Sequence, residues 1–450
     1  MPSEALSWHR LQFAFTITFH YLFPVLTMGL ALLIVIMKGL ALRTNDARWD
    51  DAARFWIRIF GINFAVGVVT GIPMEFQFGT NWARFARIAG PVIGQTLAME
   101  GLFAFMLESS FLALLVWGER RMSRAAHMAC ALALFVGSWL SAYFILCTNA
   151  FLHHPVGYAV APDGTLQLTD AAAFLLNPWA LLQFAHNQAA SVATASFVVA
   201  ATGAGYLLRG VHTEAARRFV TLGVTLGFVA SMVVAFPTGD LQAKAVARHQ
   251  PAALAAMEGR FESGPHAGIT MIGQPNVEQR RLDNPITLPG MLSFLAFGTF
   301  HSDVAGLDAF PRDQWPDNIE LVYYGFHVMA GLGTLMIGLM GLALAALLLR
   351  RLFTSRPLLW ALALAFPFPY IAVTAGWLTA ELGRQPWVVY GVLRTADAAS
   401  PTVHSGTALF TLIGLMGLDL VIGVTFLWLI ARTLAAGPDS HEPARGGAHG

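Results

Sequence analysis

Charge is scarce in this sequence of 450 residues. Asp, Glu, Lys and Arg make up only 12% of it, whereas hydrophobic residues make up 56%. Ordinary globular domains carry roughly 25% charged residues, so the composition excludes a soluble globular protein and indicates an integral membrane protein. The formal net charge of +1 argues against nucleic acid as a partner.

Cysteine is also rare. Cys130 and Cys147 are the only two, and both lie in one apolar run. A helix would place them about 25 Å apart, too far for a disulfide. The first apolar run of the chain has no small-residue cleavage site, so we expect a retained span rather than a signal peptide.

Apolar runs of membrane-spanning length dominate what is present. A bilayer needs about 20 helical residues, and the sequence predicts an all-α protein with about nine transmembrane helices. These are 11–37, 55–79, 93–117, 127–150, 181–208, 218–238, 319–349, 357–381 and 403–432. The predicted plan has helices one to six in 1–238, a Pro-rich loop in 239–318, helices seven to nine in 319–432, and a disordered tail in 433–450.

Lys and Arg are concentrated in alternate loops, which predicts the orientation. Loops after helices one, three, five and seven are rich in them, and the others are poor. By the positive-inside rule the N-terminus lies outside, the C-terminus is cytoplasmic, and loop 239–318 lies outside. Another outer loop contains His153 and His154, which we expect to be an exposed polar pair rather than a metal contact.

Two carboxylates, Glu100 and Glu108, lie within the third apolar run. An intramembrane acid costs several kcal/mol and usually marks a proton relay or ligand site. On an α-helix the two would be about 12 Å apart along the axis and about 80° apart around it. The alternative is a pair of buried acids satisfied by hydrogen bonds.

Several metal-ligand side chains fall at one depth, in the outer half of the predicted membrane: His20, His186, His327, Met329 and Glu381. A lone buried histidine is more often a hydrogen-bonded core residue, but this common depth favours ligands. His with Met suits a six-coordinate haem. Non-haem copper would need clustered His or Cys, and the runs contain no such cluster.

The longer motifs identify a resemblance. They are RLQFAFTITFHYLF (10–23), FGINFAVGVVTGIPMEFQFGTNW (60–82), AMEGLFAFMLESSF (98–111), LNPWALLQFAH (176–186), GDLQA (239–243), QPAALAAMEGRFES (250–263), FHVMAG (326–331) and AGWLTAELGRQPW (375–387). In identity and order they resemble subunit I of the cytochrome bd-type quinol oxidases, in the form with a short outer loop, over almost the whole chain. Some relatives of this type are cyanide-insensitive.

The resemblance implies roles for the membrane residues. His186 and Met329 would be axial ligands of a low-spin haem b. His20 and Glu381 would be ligands of the other two haems, a high-spin haem b and a haem d, with the pairing left open. Glu100 would lie beside these haems and Glu108 on the proton route. Further haem-packing residues would be Arg384, Trp377 and Trp387.

The resemblance also implies that loop 239–318 binds quinol and that Glu258 accepts a quinol proton, a solvated loop charge being the alternative. Two positions depart from the family pattern. Ala253 stands where many members have lysine, and Lys244 or Arg248 would have to supply the charge. His327 stands where better-known members have arginine, either beside a haem propionate or as a rival ligand to Met329.

The implied function is oxidation of quinol at the outer face of the bacterial cytoplasmic membrane and reduction of O2 to water with cytoplasmic protons. This generates proton motive force without a pump. The implied partners are a second membrane subunit (subunit II), in some members a small single-helix subunit, and the lipid bilayer. Two alternatives stay open: an oxidase with haem b in place of haem d, and a proton-coupled transporter, although transporters are expected to show internal repeats.

Overall fold

The computed structural model of the chain describes residues 2–438. Long helices dominate it, as the sequence predicts. The first half contains α1 (Pro2–Thr44), α2 (Ala47–Thr80), α3 (Ala83–Met99), a π-helix (Glu100–Leu107), α4 (Glu108–Trp117) and α5 (Arg124–His153). Then come β1 (Tyr158–Val160), β2 (Leu166–Leu168), α6 (Ala171–Leu175), α7 (Pro178–Arg209), α8 (Thr213–Val233), a second π-helix (Val234–Gly239) and α9 (Asp240–His249).

The outer loop and the last helices complete the chain. The loop contains α10 (Pro251–Met257), an antiparallel hairpin of β3 (Ile269–Asn276) and β4 (Arg281–Leu288), and α11 (Met291–Phe297). After it come α12 (Ile319–Leu348), α13 (Arg356–Leu364), α14 (Pro367–Gly383), β5 (Trp387–Val389), β6 (Leu393–Arg394), α15 (Thr395–Ala398) and α16 (Ser405–Ala436).

The predicted all-α membrane class is confirmed. Among residues 2–438, eight helices are long and apolar enough to cross a membrane. The predicted third span, 93–117, corresponds to α3, the first π-helix and α4, which follow one another without a break. The predicted tail lies mostly outside the described residues, and its first part, 433–436, belongs to α16.

Side-chain caps explain where several long helices begin. Ser123 accepts a hydrogen bond from the Ala126 N–H at the start of α5. Asn177, just before Pro178 at the start of α7, accepts from the Trp179 N–H. Asn318 accepts from the Leu321 N–H at the start of α12. Each oxygen satisfies a backbone donor that has no partner within the helix.

Both π-helices interrupt long helices inside the bilayer region. The second contains Pro237, which has no N–H and cannot make the regular helical bond. The widened turn lets the helix continue as α9 to His249, beyond the predicted loop boundary at residue 238. Single π turns of this kind often occur at functional sites, and each of these two adjoins a residue discussed below.

The largest core lies between α1, α2, α7 and α8. Its centre is aromatic: Phe55 stacks on Phe219 with ring centroids 5.5 Å apart, and Trp56 meets Phe219 edge-on at 5.4 Å. All three are fully buried. By contrast α16 exposes large apolar side chains along most of its length, including Phe410, Leu420 and Trp428. A long exposed apolar face is expected for lipid or a second membrane subunit.

Candidate functional site

His186 is held by a threonine on the second π-helix. Its Nδ1 lies 3.2 Å from Oγ1 of Thr238. That hydroxyl also lies 2.9 Å and 3.2 Å from the carbonyl oxygens of Val233 and Val234. The hydroxyl donates its one hydrogen to a carbonyl. Its oxygen can therefore accept a hydrogen bond from the Nδ1–H of His186. The arrangement leaves the Nε2 lone pair of His186 available to a metal.

His20 repeats this arrangement on different helices. Its Nδ1 lies 3.1 Å from Oγ1 of Thr70 on α2, whose hydroxyl is within 3.0 Å of the Val66 carbonyl and 3.1 Å of the Gly67 carbonyl. The ring also packs on Gly71, where a Cβ would come within 3.0 Å of it. The imidazole is therefore fixed with Nε2 facing away from its hydrogen-bond partner.

Met329 on α12 lies against α14. A Cβ at Gly376 would come within 2.7 Å of the Met329 sulfur, so glycine is needed for the thioether to sit there. The next residue, Trp377, packs against Tyr21 with ring centroids 5.9 Å apart. These contacts bring together Met329, Trp377 and Tyr21, the residue after His20, in one region where α1, α12 and α14 meet.

Glu381, one turn further along α14, is surrounded by donors. Its Oε1 accepts from Asn149 Nδ2 at 2.9 Å and lies 3.2 Å from His153 Nε2. Its Oε2 pairs with the Arg384 guanidinium, which also donates to the Val388 carbonyl. Glu381 is therefore placed to bear negative charge, and Arg384 could instead pair with a haem propionate.

The prediction of an exposed pair at His153 and His154 is wrong for His153. This residue is only 1% exposed. Its ring stacks on Trp179 at 5.6 Å, and Gln250 Nε2 donates to its backbone carbonyl at 2.8 Å. Sequence reasoning missed its role because the partners Glu381 and Gln250 come from distant segments.

The two acids of the third span differ in their surroundings. Glu108 is 6% exposed, lies beside Ser138 of α5, and its Oε1 has no hydrogen-bond partner within residues 2–438. Glu100 opens the π-helix. The offset expected for an α-helix therefore does not apply between the two acids, because a π-helix rotates less per residue.

Glu75 on α2 is an acid that sequence reasoning missed. It lies close enough to Glu100 for their carboxylates to interact electrostatically. It was hidden inside the apolar motif of 60–82, and its nearness to Glu100 depends on the packing of α2 against α3. The structure therefore brings a second carboxylate, Glu75, close to Glu100 at the start of the π-helix.

Glu258 ends α10 in the outer loop and is 3% exposed. Its Oε2 accepts from the Thr270 N–H at 2.9 Å, and its backbone carbonyl accepts from Oγ1 of Thr270 at 3.1 Å. Burial raises the pKa of the Glu258 carboxyl to about 7, although the Thr270 hydrogen bond opposes this. A carboxyl group with a pKa near neutrality suits proton acceptance.

His327 lies between α12 and the hairpin of the loop. Its Nδ1 faces the Tyr323 carbonyl at 2.8 Å and its Nε2 faces the Thr270 carbonyl at 3.0 Å. Both ring nitrogens therefore face backbone carbonyl oxygens, whereas those of His20 and His186 do not. This geometry favours Met329 over His327 as the ligand from α12.

The remaining predicted residues lie around the same end of the molecule. Ala253 is buried, and its Cβ lies 3.3 Å from where a Cβ at Gly383 would be, so α10 packs closely on the end of α14. Lys244 pairs with Asp240 at 2.6 Å on its own helix, and Arg248 is exposed. Trp387 lies under the Arg394 guanidinium, 4.9 Å from ring centroid to Cζ.

The donor set fits a macrocycle-bound metal better than a bare ion. Within residues 2–438, no three His, Cys, Asp or Glu side chains cluster as a metal site. Two imidazoles with a free Nε2 and a thioether, each on a different helix, are instead typical axial ligands of haem. Gly71 packs against His20 and Gly376 packs against Met329, and a Cβ at either glycine would crowd that side chain.

Comparison with known proteins agrees with this geometry. The family model described as Cytochrome bd terminal oxidase subunit I matches residues 8–438. The chain is 33% identical to "Cytochrome bd ubiquinol oxidase subunit 1" of Bacillus subtilis (strain 168), over 96% of this chain and 94% of the relative. It is 31% identical to "Cytochrome bd-II ubiquinol oxidase subunit 1" of Escherichia coli (strain K12), over 98% of each.

A solved structure is similar throughout. "The structure of bd oxidase from Geobacillus thermodenitrificans" has a TM-score of 0.89 and 30% sequence identity, covering 97% of this chain and 99% of that chain. The protein therefore belongs to the cytochrome bd terminal oxidase subunit I family. It is a quinol oxidase subunit and a multi-pass bacterial membrane protein, and the family implies haem cofactors and a quinol substrate.

Proposed function

We propose that this chain oxidises quinol at the outer face of the cytoplasmic membrane and reduces O2 to water at a haem site within the bilayer. The observation that carries the proposal is the repeated histidine arrangement. His20 and His186 both use Nδ1 on a threonine hydroxyl and keep Nε2 for a ligand. When bound, the haems supply one-electron carriers and the position at which O2 is reduced.

The haem-binding residues are proposed as follows. His186 and Met329 would hold the low-spin haem b. His20 and Glu381 would hold a high-spin haem b and a haem d, or a further haem b in its place. Arg384 would neutralise a propionate, and Trp377 and Trp387 would pack beside the macrocycles.

Quinol oxidation is assigned to the outer loop. Glu258 would accept a hydroxyl proton from quinol as electrons leave, and both protons of each quinol would be released outside. The assignment is supported by the burial of Glu258, by its pKa of about 7, and by the hydrogen bond that holds its Oε2 on the Thr270 N–H. A solvated loop carboxylate would have neither the burial nor the raised pKa.

Protons for water formation would come from the cytoplasm through Glu108 and Glu100. Glu108 is buried, and its Oε1 has no hydrogen-bond partner among residues 2–438, which leaves that oxygen available to an incoming proton donor. Release of protons outside and uptake from inside would generate proton motive force without pumping. This direction rests on the Lys and Arg distribution, which places the N-terminus and the loop of Glu258 outside.

The working enzyme would include subunit II, with which members of this family generally pair, and in some members a small single-helix subunit. The exposed apolar face of α16 and its neighbours offers surface for such a partner.

The test is ubiquinol-driven O2 consumption by the purified complex reconstituted in vesicles, with pH measured on both sides. We expect acidification outside the face that carries the loop and alkalinisation on the other. O2 consumption without a pH difference across the vesicle membrane would contradict the assigned proton routes. A haem-loaded complex that consumes O2 with neither ubiquinol nor menaquinol would overturn the quinol site.

A further inference from the structure

A chain of hydrogen bonds connects the carboxylate of Glu258 to the helix that carries Met329. His327 Nε2 on α12 lies 3.0 Å from the Thr270 carbonyl. Thr270 on β3 then donates its backbone N–H to Glu258 Oε2 at 2.9 Å and its hydroxyl to the Glu258 carbonyl at 3.1 Å. One residue of the hairpin thus contacts both the helix and the carboxylate.

We propose that His327 and Thr270 are positioning residues that fix Glu258 for quinol oxidation by fastening the loop hairpin to α12. This inference rests on the proposed role of Glu258. It assigns His327 to the quinol site rather than to a haem.

Burial protects the hydrogen bonds between Glu258 and Thr270 from competition by water. Glu258 is 3% exposed and Thr270 is 7% exposed, so the bonds between them are shielded from water. Where water cannot replace a lost partner, a broken hydrogen bond leaves a buried polar group unsatisfied. The Thr270 N–H therefore fixes Oε2 of the carboxylate, and we expect a substrate hydroxyl to approach Oε1.

The ring of His327 is itself fixed on two sides. Its Nδ1 faces the Tyr323 carbonyl at 2.8 Å, and its ring lies 4.0 Å from the Tyr323 ring between centroids. Tyr323 is 1% exposed and packs against Gly259, the residue after Glu258, at 3.2 Å from a Cβ built there. Two neighbouring contacts thus join α12 to the end of α10.

The Tyr323 hydroxyl adds an independent sign of a ligand. It is buried and has no hydrogen-bond partner within residues 2–438, and the Glu258 carboxylate is close enough to act on it electrostatically. A buried phenol without a protein partner takes one from water or from a bound molecule. A quinol, with two hydroxyl groups on a ring, could supply it.

Two substitutions of His327 separate its contact with the Thr270 carbonyl from its contact with the Tyr323 carbonyl. In His327→Gln the side-chain amide reaches the position of Nε2 and can still donate to the Thr270 carbonyl. In His327→Asn the shorter amide mimics only Nδ1 and leaves Thr270 without its partner. Both variants are polar and similar in size, so a general packing defect would affect them alike.

The measurements use the purified complex with its haems. The KM for a short-chain ubiquinol is measured from O2 consumption, and amide hydrogen exchange of residues 269–276 is measured by mass spectrometry. We expect His327→Gln to remain near wild type. We expect His327→Asn to raise KM about tenfold, in line with one lost buried hydrogen bond, and to speed exchange in β3.

Two controls separate this effect from damage to the haems. Haem content and the low-spin haem spectrum should be unchanged in both variants. O2 consumption driven by an artificial one-electron donor, which bypasses quinol, should also be unchanged. Equal KM values and equal exchange rates for His327→Asn and His327→Gln would overturn the inference.

Glu258→Gln distinguishes failure of this inference from failure of the quinol site itself. If Glu258→Gln abolishes ubiquinol turnover while His327→Asn changes neither KM nor exchange, the positioning role is wrong and the site stands. If Glu258→Gln leaves ubiquinol turnover intact while His327→Asn speeds exchange, the hairpin contact stands but the quinol site is misplaced, and the positioning role falls with it.

Discussion

Histidines in the membrane interior and histidines beneath the outer loop are used differently. His20 and His186 each place Nδ1 on a threonine hydroxyl and leave Nε2 free. His153 and His327 have both ring nitrogens engaged: His153 with Glu381 and Gln250, and His327 with the Tyr323 and Thr270 carbonyls. We propose that this difference separates the haem ligands from histidines with a structural role.

On the proposed assignment, the partner of the second nitrogen rather than burial distinguishes a haem-binding histidine. His153 is more buried than either proposed ligand, yet its nitrogens have protein partners. The predictions below test this distinction at the ligand, at the loop, on the proton route and at the supporting threonine.

The largest effect is expected at a ligand. His186→Ala should remove the low-spin haem and nearly all ubiquinol-driven O2 consumption, because electrons from quinol would lose their carrier. The measurement is haem content and the reduced-minus-oxidised spectrum of the purified complex. His301→Ala, an exposed loop histidine, is the matched control and should behave as wild type. Retention of every haem in His186→Ala would remove His186 from the ligand set.

At the loop, Glu258→Gln should lower ubiquinol turnover about a hundredfold, the usual size of a proton-transfer contribution. In the wild type, kcat/KM should rise as pH passes about 7, because the carboxyl accepts a proton only when ionised and burial raises its pKa to about 7. The variant should lose this rise. Glu262→Gln, an exposed neighbour, is the control, and an unchanged pH profile in Glu258→Gln would contradict the assignment.

On the proton route, Glu108→Gln should lower turnover at least tenfold with haem content retained, because an amide cannot pass on a proton. The reduction should persist when an artificial one-electron donor replaces quinol, since the block lies after electron delivery. Turnover equal to wild type with either donor would show that Glu108 carries no protons.

The smallest effect is expected at the supporting threonine. Thr238→Val keeps the shape of the side chain but removes the hydroxyl that fixes His186, and should weaken haem retention about tenfold. The measurement is loss of the low-spin haem during dilution or mild denaturation. Thr225→Val, on an exposed face of α8, should have no such effect. Equal haem retention in both variants would show that the hydroxyl does not support the ligand.

Much of the fold follows from the sequence because lipid demands long apolar helices. The ligands proposed from the sequence, His20, His186, Met329 and Glu381, stay a prediction. The hydroxyl partners Thr70 and Thr238 do not follow from the sequence, because they lie about 50 residues from their histidines along the chain. The π-helix at Glu100–Leu107 could not be predicted either, since its sequence is as apolar as an α-helix of the bilayer.

The errors and gaps arise where distant segments meet. His153 looks like a loop residue in the sequence, but α14 and the start of α10 enclose it. His327 looks like a haem contact in the sequence because it is near Met329. In the structure its Nε2 contacts the carbonyl of Thr270 on the loop hairpin. The sequence around a residue predicts where that residue lies on its helix. It does not predict which distant segment of the chain packs against it.

The most direct test of the account is a reduced-minus-oxidised visible spectrum of the purified complex, followed by haem extraction. We predict haem b bands together with a red chlorin band from haem d, and haem b bands alone would replace haem d with a further haem b. A well-folded complex without any haem would contradict the roles of His20, His186, Met329 and Glu381.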